Sequence, residues 1–329
     1  MDSSVRAAVV GLGKKGFRGA FLEGLYSPDL THVGAVLKTQ GLNLVAVCDK
    51  EQARLNEFDP WMKLRSEGPL DVAQHIDYQN MMNQMKPDVV SIATPVETHA
   101  SIARNVMRFG CVKAILLEKP IAESVDKAKS IVDDSKNFKV PVIINHTRRW
   151  QAAWKSAAYR IRNLGGAYHV VGRCNGETLD AGVHMTDLFR WLGPKAKHTY
   201  VDLYNPSLGK YQPYLLFELE AYCPKGLVRI SGNGQSVSEA RPEETKRYRD
   251  LKELRWWGCG FKDFPDDMGA ATLKAFAELR DLALGKRKRP TCSSEDGLKA
   301  LELCSRWVPS VITYGRRDIL PELGRLVGK

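Results

Sequence analysis

The sequence lacks the features of several specialised protein classes. No stretch approaches the ~20 consecutive apolar residues that would span a bilayer, and the chain begins without a positively charged segment or a small-residue cleavage site. The seven cysteines are odd in number and include no C-x-x-C pair, which argues against a disulfide framework and a zinc cluster. We therefore expect a soluble cytoplasmic protein that binds no metal and contacts no membrane.

Positive charge is in excess, because 49 Lys and Arg residues outnumber 38 Asp and Glu residues and give a net charge of +11. The densest basic run, Lys286–Arg289, lies between Gly285 and Pro290, where a solvated loop is expected. We therefore predict no nucleic-acid partner. A positive field also attracts anionic small molecules, such as phosphorylated sugars, uronates and nucleotide sugars.

The 329 residues, of which 43% are hydrophobic, are enough for two domains with separate cores. In the first part of the chain, apolar strands alternate with helices, which implies a parallel sheet with right-handed crossovers. The strands predicted there are Val5–Val10, Leu42–Val47, Val89–Ala93, Ala114–Leu117 and Val140–Asn145, and the helices are Phe17–Leu25, Ile102–Phe109 and Ala122–Ser135.

After Asn145 the alternation stops, and strands follow one another as in a largely antiparallel sheet. The predicted strands are Ala167–Cys174, His198–Tyr204, Tyr214–Tyr222, Leu227–Ser231 and Leu251–Trp257, and the helices are Trp150–Leu164, His184–Leu192, Met268–Leu284 and Glu295–Trp307. The charged stretch Ser236–Asp250 is predicted to be an exposed loop or hairpin. The predicted fold is therefore α/β: an N-terminal Rossmann domain with a doubly wound parallel sheet at residues 1–145, and a C-terminal α+β domain on an open, largely antiparallel sheet at residues 146–329, for substrate binding and oligomerisation.

A G-x-G-x-x-G sequence follows the first strand and precedes a helix, which is the context of a dinucleotide-binding turn. The glycines let the backbone approach a pyrophosphate, which then lies at the helix N-terminus. The expected cofactor contacts in this turn are Gly11, Leu12, Gly13, Lys14, Lys15 and Gly16.

An acid, Asp49, follows the second strand, where it would accept hydrogen bonds from the adenosine ribose. This favours NAD, with NADP as the alternative because Lys50 comes next. The distance from Gly16 to Asp49 exceeds the usual ~20 residues. The segment between Gly24 and Leu42 is therefore an extra excursion.

A lysine at the end of a buried strand is the first candidate for chemistry. Residues 114–120 read AILLEKP, so Glu118 and Lys119 follow four apolar residues, and Pro120 keeps a helix from running through Lys119. Ligands of open parallel sheets bind outside the carboxyl ends of the strands. Thr94 and Pro95 follow another such strand, and His99 after them is either a core histidine or a contact on the cofactor side.

Asp180 and His184 stand four apart at the start of a predicted helix, and Asp187 follows. A carboxylate beside an imidazole orients the ring and favours its charged form, which suits acid-base work. The alternative is a helix N-cap with an incidental histidine. Three further residues, Arg148, Arg149 and Trp150, lie where the two domains should meet. One of the two arginines contacts an anionic or hydroxyl-rich substrate or else forms a structural salt bridge.

The order of G-L-G-K-K-G, T-P-x-x-x-H, E-K-P and D-x-G-x-H-x-x-D closely resembles the Gfo/Idh/MocA oxidoreductase family over nearly the whole chain. The resemblance implies a Rossmann domain, an open-faced α/β domain, NAD(P) chemistry on a sugar, cyclitol or related carbonyl, and homodimers or homotetramers. By position, Lys119 matches the family's catalytic lysine, and Asp180 and His184 match its aspartate and histidine. The chain departs from the family at Val96, where asparagine is frequent, and in the excursion before Asp49.

The predicted function is hydride transfer between nicotinamide and a secondary alcohol or ketone of a carbohydrate-like substrate. His184 would act as the base, Asp180 would orient it, and Lys119 would donate to the same substrate oxygen. Beyond the glycine turn, the expected cofactor contacts are Asp49, Lys50, Thr94, Pro95, His99, Glu118 and Lys119, and the expected substrate contacts are Lys119, Arg148, Arg149, Trp150, Asp180 and His184. The alternatives are an NAD-dependent glycosidase that uses transient oxidation and a non-catalytic NAD(P)H-binding sensor.

Overall fold

The first half of the chain folds around a parallel sheet of six strands in the order β3-β2-β1-β4-β5-β6. The computed structural model describes residues 4–21, 23–24, 27–65, 71–175, 178–196, 198–204, 215–247, 250–256, 262–264 and 267–307. The strands are β1 Val5–Val10, β2 Leu42–Cys48, β3 Ala73–His75, β4 Val89–Ile92, β5 Ala114–Leu117 and β6 Val142–Ile144. Five of the six were predicted, and the short β3 was missed because its half-buried residues carry no apolar run.

Helices cover this sheet, and the first crossover differs from the prediction. The helices are α1 Gly19–Phe21, α2 His32–Lys38, α3 Gln52–Arg65, α4 Tyr78–Met85, α5 Val96–Arg108 and α6 Val125–Phe138. The predicted helix Phe17–Leu25 is helical only over its first part: a π-helical turn over Lys14–Arg18 leads into the short α1, and Gly24 has a φ of +64°. The excursion supplies α2, so the crossover from β1 to β2 is made in two helical pieces.

The second half contains a seven-stranded sheet, in which β13 pairs with β11 outside the path β12-β11-β10-β9-β7-β8. The strands are β7 His169–Asn175, β8 His198–Tyr204, β9 Phe217–Cys223, β10 Gly226–Ser231, β11 Ser236–Glu244, β12 Lys252–Trp256 and β13 Lys262–Asp263. Only β7 and β8 are a parallel pair, so the sheet is largely antiparallel as predicted. The stretch Ser236–Asp250, predicted to be an exposed loop or hairpin, is mainly β11, which pairs antiparallel with β12 as the hairpin alternative requires. Of the predicted strand ends, Tyr214 and Trp257 lie outside the described residues.

Four longer helices complete the described chain: α7 Ala152–Asn163, α8 Val183–Leu192, α9 Met268–Ala283 and α10 Ser294–Trp307. Although α9 and α10 come last, α9 packs on the parallel sheet and shares its core through Ala271, Ala275 and Phe276. The domain boundary predicted between residues 145 and 146 stays a prediction. The hydrophobic core under the parallel sheet also includes residues of α9. No helix within the described ranges is both long and apolar enough to cross a membrane.

Candidate active site

Three loops meet at the carboxyl edge of the parallel sheet. Neighbouring strands end side by side there, because Val10 pairs with Ile92 and Ile92 pairs with Leu117. The glycine turn, the Thr94–Pro95 turn and the Glu118–Lys119 turn therefore lie next to one another. This edge is where open α/β sheets bind their ligands.

The glycine turn has the shape that a dinucleotide requires. Gly11 has a φ of +96°, and a Cβ there would lie 2.7 Å from the carbonyl oxygen of Ala93. A Cβ on Gly16 would lie 1.8 Å from the carbonyl oxygen of Gly11, so the turn closes tightly only with glycine. Gly13, by contrast, faces open space, with Arg54 the nearest group at 4.0 Å. The turn therefore leaves room for a pyrophosphate to approach its backbone.

Asp49 lies at the predicted place but also has a structural task. Its Oδ2 accepts a hydrogen bond from the Leu12 amide at 2.8 Å and one from Arg54 at 3.3 Å, while Oδ1 accepts from the Glu51 amide at 3.0 Å. The side chain is only 3% exposed. Asp49 thus ties the end of β2 to the glycine turn, whereas Lys50 is exposed.

His99 and Glu118 lie beneath the site surface. The His99 ring is buried, with Nδ1 2.8 Å from the carbonyl oxygen of Pro120 and Nε2 2.9 Å from that of Thr94. It joins the ends of β4 and β5, which is the core-histidine alternative. Glu118 is 7% exposed and accepts hydrogen bonds from buried neighbours, so its carboxylate faces inward and away from the crevice.

Lys119 and Asp180 meet across the two halves of the chain. The Lys119 Nζ forms an ion pair with the Asp180 carboxylate and also donates to the Asp180 carbonyl oxygen at 3.3 Å. The lysine side chain is 13% exposed and the aspartate 72% exposed. Asp180 lies in a π-helical turn, Thr178–Gly182, that leads into α8. The pairing places the amine at the crevice with its charge only partly compensated by an exposed partner.

His184 is close to Lys119, but its ring partner is not Asp180. The Nδ1 atoms of His184 and His146 are 3.2 Å apart, and the two rings meet edge to face. No hydrogen bond joins His184 to Asp180 among the described residues. Burial, followed by the positive charges of Lys119 and Arg148, holds the pKa of His184 well below its usual value. The ring is therefore neutral near pH 7, contrary to the expectation that a carboxylate would favour its charged form.

His146 was not predicted, although its position carries a signal. It comes two residues after β6, at the same edge of the sheet as Lys119 after β5. Burial is the main cause that lowers its pKa to about 4, so it is neutral as well. A neutral imidazole has one donor and one acceptor nitrogen. Of the two facing Nδ1 atoms, one must therefore donate and the other accept.

Arg148 and Arg149 have different surroundings. Arg149 donates to the two carboxylate oxygens of Asp187 at 2.9 and 2.6 Å and to the carbonyl oxygen of Thr291 at 2.9 Å, in a buried environment. It holds α8 to the turn before α7, which is the structural alternative. Trp150 is equally buried, and its Nε1 donates to Glu278 at 3.0 Å, so neither side chain lines the crevice.

Arg148 has no ion-pair partner among the described residues. Its guanidinium carbon lies 3.6 Å from the centre of the Phe217 ring, and its Nε is buried without a hydrogen-bond partner. Burial lowers its pKa to about 10, which leaves it charged at neutral pH. Its charge acts on His184, which places it at the site.

The matches to a protein family and to curated proteins cover only part of the chain. Residues 5–146 match the GFO_IDH_MocA model, described as an oxidoreductase family with an NAD-binding Rossmann fold. The curated protein "Glycosyl hydrolase family 109 protein 2" of Akkermansia muciniphila is 29% identical over 133 residues, which cover 40% of this chain and 25% of that protein. The chain therefore spans only about a quarter of the length of that relative.

Solved structures resemble the whole described fold. An oxidoreductase from Agrobacterium radiobacter, solved with NAD+, L-tartaric acid and magnesium, has a TM-score of 0.68 at 16% identity, over 94% of this chain and 97% of that one. A levoglucosan dehydrogenase, solved with NADH and levoglucosan, has a TM-score of 0.70 at 15% identity, over 93% and 97%. At such identities the likeness shows the fold. It confirms the predicted two-part α/β architecture.

Proposed function

Because residues 5–146 belong to the Gfo/Idh/MocA oxidoreductase family with its NAD-binding Rossmann fold, we propose that the protein is a dehydrogenase or reductase of sugars, cyclitols or their derivatives. One observation carries the proposal: the Lys119 amine and the neutral His184 ring lie together at the carboxyl edge of the parallel sheet, beside the glycine turn. The family model is NAD-binding, and we infer that the pyrophosphate of NAD lies at the Gly11–Gly16 turn. When bound, NAD supplies the hydride acceptor.

The protein's own contribution is to move a proton and to stabilise charge on the substrate oxygen. His184 accepts the hydroxyl proton at Nε2, since its Nδ1 faces His146. This requires that the His184 Nδ1–H donate to the His146 Nδ1, so His146 takes the orienting role that sequence analysis gave to Asp180. Lys119 donates to the developing alkoxide, and Asp180 aims its amine.

The charge of the site favours a substrate that carries an anionic group. Arg148 is half-buried, charged and without a carboxylate partner among the described residues, and Lys119 is compensated only by an exposed aspartate. A carboxylate or phosphate on the sugar would complete the hydrogen bonding of Arg148. We therefore expect a uronate or sugar phosphate to be preferred over its neutral counterpart.

A substrate panel tests the proposal. Matched pairs of aldose and uronate, and of cyclitol and cyclitol phosphate, are assayed with NAD and with NADP by the absorbance of the reduced nicotinamide. We expect the protein to turn over the anionic member of a pair, and we expect Lys119→Met and His184→Ala to lose this turnover. Reduction of NAD with none of the panel, in a protein that binds NADH, would contradict it.

A second candidate is an NAD-dependent glycosidase, favoured by the likeness of the first half to glycosyl hydrolase family 109 proteins. In that reaction the hydride returns to the sugar, so the cofactor is regenerated in each turnover. Aryl glycosides distinguish the two functions. Aglycone release with only catalytic NAD and no accumulating NADH would replace the dehydrogenase proposal.

Self-association is part of the proposed function. Leu254 and Trp256 of β12 are 48% and 38% exposed, at the edge of the second sheet. Exposed apolar side chains on one strand favour a partner surface. We propose a homodimer or homotetramer, to be tested by light scattering of the parent and of Leu254→Lys.

A further inference from the structure

The excursion between β1 and β2 brings a buried histidine beneath the catalytic lysine. Helix α2 begins at His32, whose side chain is fully buried. Thr31 caps the helix, because its Oγ1 accepts the Gly34 amide. A Cβ on Gly34 would lie 2.1 Å from the carbonyl oxygen of Pro28, so the close turn that delivers α2 requires glycine there. Residues of the excursion itself, Thr31 and Gly34, therefore determine where α2 begins and how His32 enters the core.

His32 makes two polar contacts, one with each of two neighbouring strand regions. Its Nε2 lies 2.9 Å from Oε1 of Glu118, just after β5, and its Nδ1 lies 2.6 Å from Oγ of Ser91 in β4. Asn145, just after β6, donates to the same Glu118 oxygen at 2.7 Å. All four side chains are buried. The network thus links three adjacent strands and the extra helix.

Glu118 connects this hydrogen-bond network to the backbone of Lys119. Its second oxygen, Oε2, accepts the backbone amide of Lys119 at 3.2 Å. Burial alone would raise the pKa of Glu118, but the hydrogen bond and charge of His32, together with Lys15 and Asn145, hold it below its usual value. Glu118 is therefore a carboxylate, and an ionised acceptor makes a stronger bond to an amide than a neutral one.

We propose that His32 is a positioning residue for Lys119. It fixes the carboxylate of Glu118, Glu118 fixes the Lys119 backbone, and the Lys119 amine is thereby aimed at Asp180 and the substrate oxygen. Without a donor at the Nε2 position, the carboxylate loses one of the two side-chain partners of its Oε1, and the amine takes several orientations. The catalytic role of Lys119 rests on the proposed function, whereas its orientation is a property of the protein alone.

Two amide variants separate this role from mere packing. In His32→Gln the side-chain amide reaches the Nε2 position and can still donate to Glu118, whereas in His32→Asn it reaches only the Nδ1 position, near Ser91. The two variants have side chains of the same polarity and differ in whether the hydrogen bond to Glu118 can form. His32→Leu fills the volume with no donor. Leu37→Ala, in the same helix, is the matched control, because Leu37 is 37% exposed.

The first measurement needs no substrate. Acylation of lysines is followed residue by residue by mass spectrometry, with Lys113, whose side chain is 57% exposed, as the internal standard. In the parent, His32→Gln and Leu37→Ala, Lys119 should react slowly because it is 13% exposed and paired with Asp180. In His32→Asn and His32→Leu, it should react several-fold faster while Lys113 is unchanged.

The second measurement is turnover of an active substrate and affinity for NADH. His32→Asn should lower kcat by about 10- to 100-fold, by analogy with the loss of a residue that orients a metal ligand, with KM and the Kd of NADH unchanged. His32→Gln should restore most of it. Equal behaviour of His32→Gln and His32→Asn in both measurements would overturn the inference. If the parent turns over no panel substrate, the proposed function fails, and the acylation rates alone decide whether His32 positions Lys119.

Discussion

Replacing Arg149 with methionine removes two hydrogen bonds to Asp187 from a pair whose side chains are 4% and 1% exposed. The carboxylate left behind is buried and uncompensated, and breaking such a pair typically costs about 3–5 kcal/mol. At ~2–4 °C per kcal/mol, the melting temperature should fall by roughly 10 °C. In Arg149→Met/Asp187→Leu no buried carboxylate loses its partner. Asp296, which lies 3.2 Å from Arg149, is 37% exposed and keeps its hydrogen bonds from Ser293, so most of the loss should be recovered.

Arg148→Met is the matched comparison, one position earlier in the chain. Arg148 is half-buried and has no carboxylate partner in the described part of the chain, so its loss should change the unfolding free energy by less than about 1 kcal/mol. It should instead raise KM for an anionic sugar by about 10- to 100-fold, the equivalent of one charge-assisted hydrogen bond of ~1.5–3 kcal/mol. KM for the neutral counterpart should stay the same.

Thermal unfolding of the three variants and the parent, with steady-state kinetics on one charged and one neutral substrate, tests both statements. A parent-like melting temperature for Arg149→Met would refute the assignment of its ion pair to stability. An equal loss of stability in Arg148→Met, with unchanged KM, would refute the assignment of Arg148 to the substrate.

Three further outcomes are expected. In the oxidative direction kcat/KM should fall only below pH 6.5, because the base is protonated as the pH falls through its pKa, and the pKa of His184 lies well below the usual value. Arg148→Met removes a positive charge near His184, so it should raise that pKa and move the fall to higher pH. Lys119→Met should lower kcat by about 10²- to 10⁴-fold, while fluorescence titration shows NADH still bound. Gly11→Ala should weaken NADH binding in the same titration, because its φ of +96° and the 2.7 Å approach of Ala93 force the turn to shift.

Each of these has a result that would contradict it. A fall in kcat/KM centred at pH 6.5 or above in the parent would show that His184 is not the neutral base. Near-normal turnover in Lys119→Met would remove the lysine from the chemistry. Parent-like affinity in Gly11→Ala would place the pyrophosphate away from this turn.

The sequence alone determined most of the elements and the edge where they meet. The strands Val5–Val10 and Ala114–Leu117 were predicted to the residue, because runs of apolar side chains bounded by glycine or charge are local signals. The same local signals placed Gly11–Gly16 after β1 and Lys119 after β5, the two strands that flank β4. The family resemblance put Lys119 and Asp180 in one predicted site, and the structure pairs them across the two halves of the chain.

Only the tertiary structure decided what each polar side chain does there. Arg148 and Arg149 are adjacent and chemically identical, yet one is paired with Asp187 and the other with no described carboxylate, because a turn points neighbouring side chains in different directions. His32 and Glu118 are 86 positions apart, and no pattern in either segment announces their contact. Strand and helix periods depend on nearby residues, whereas ion pairs, tautomers and pKa values depend on whatever the fold brings within a few ångströms.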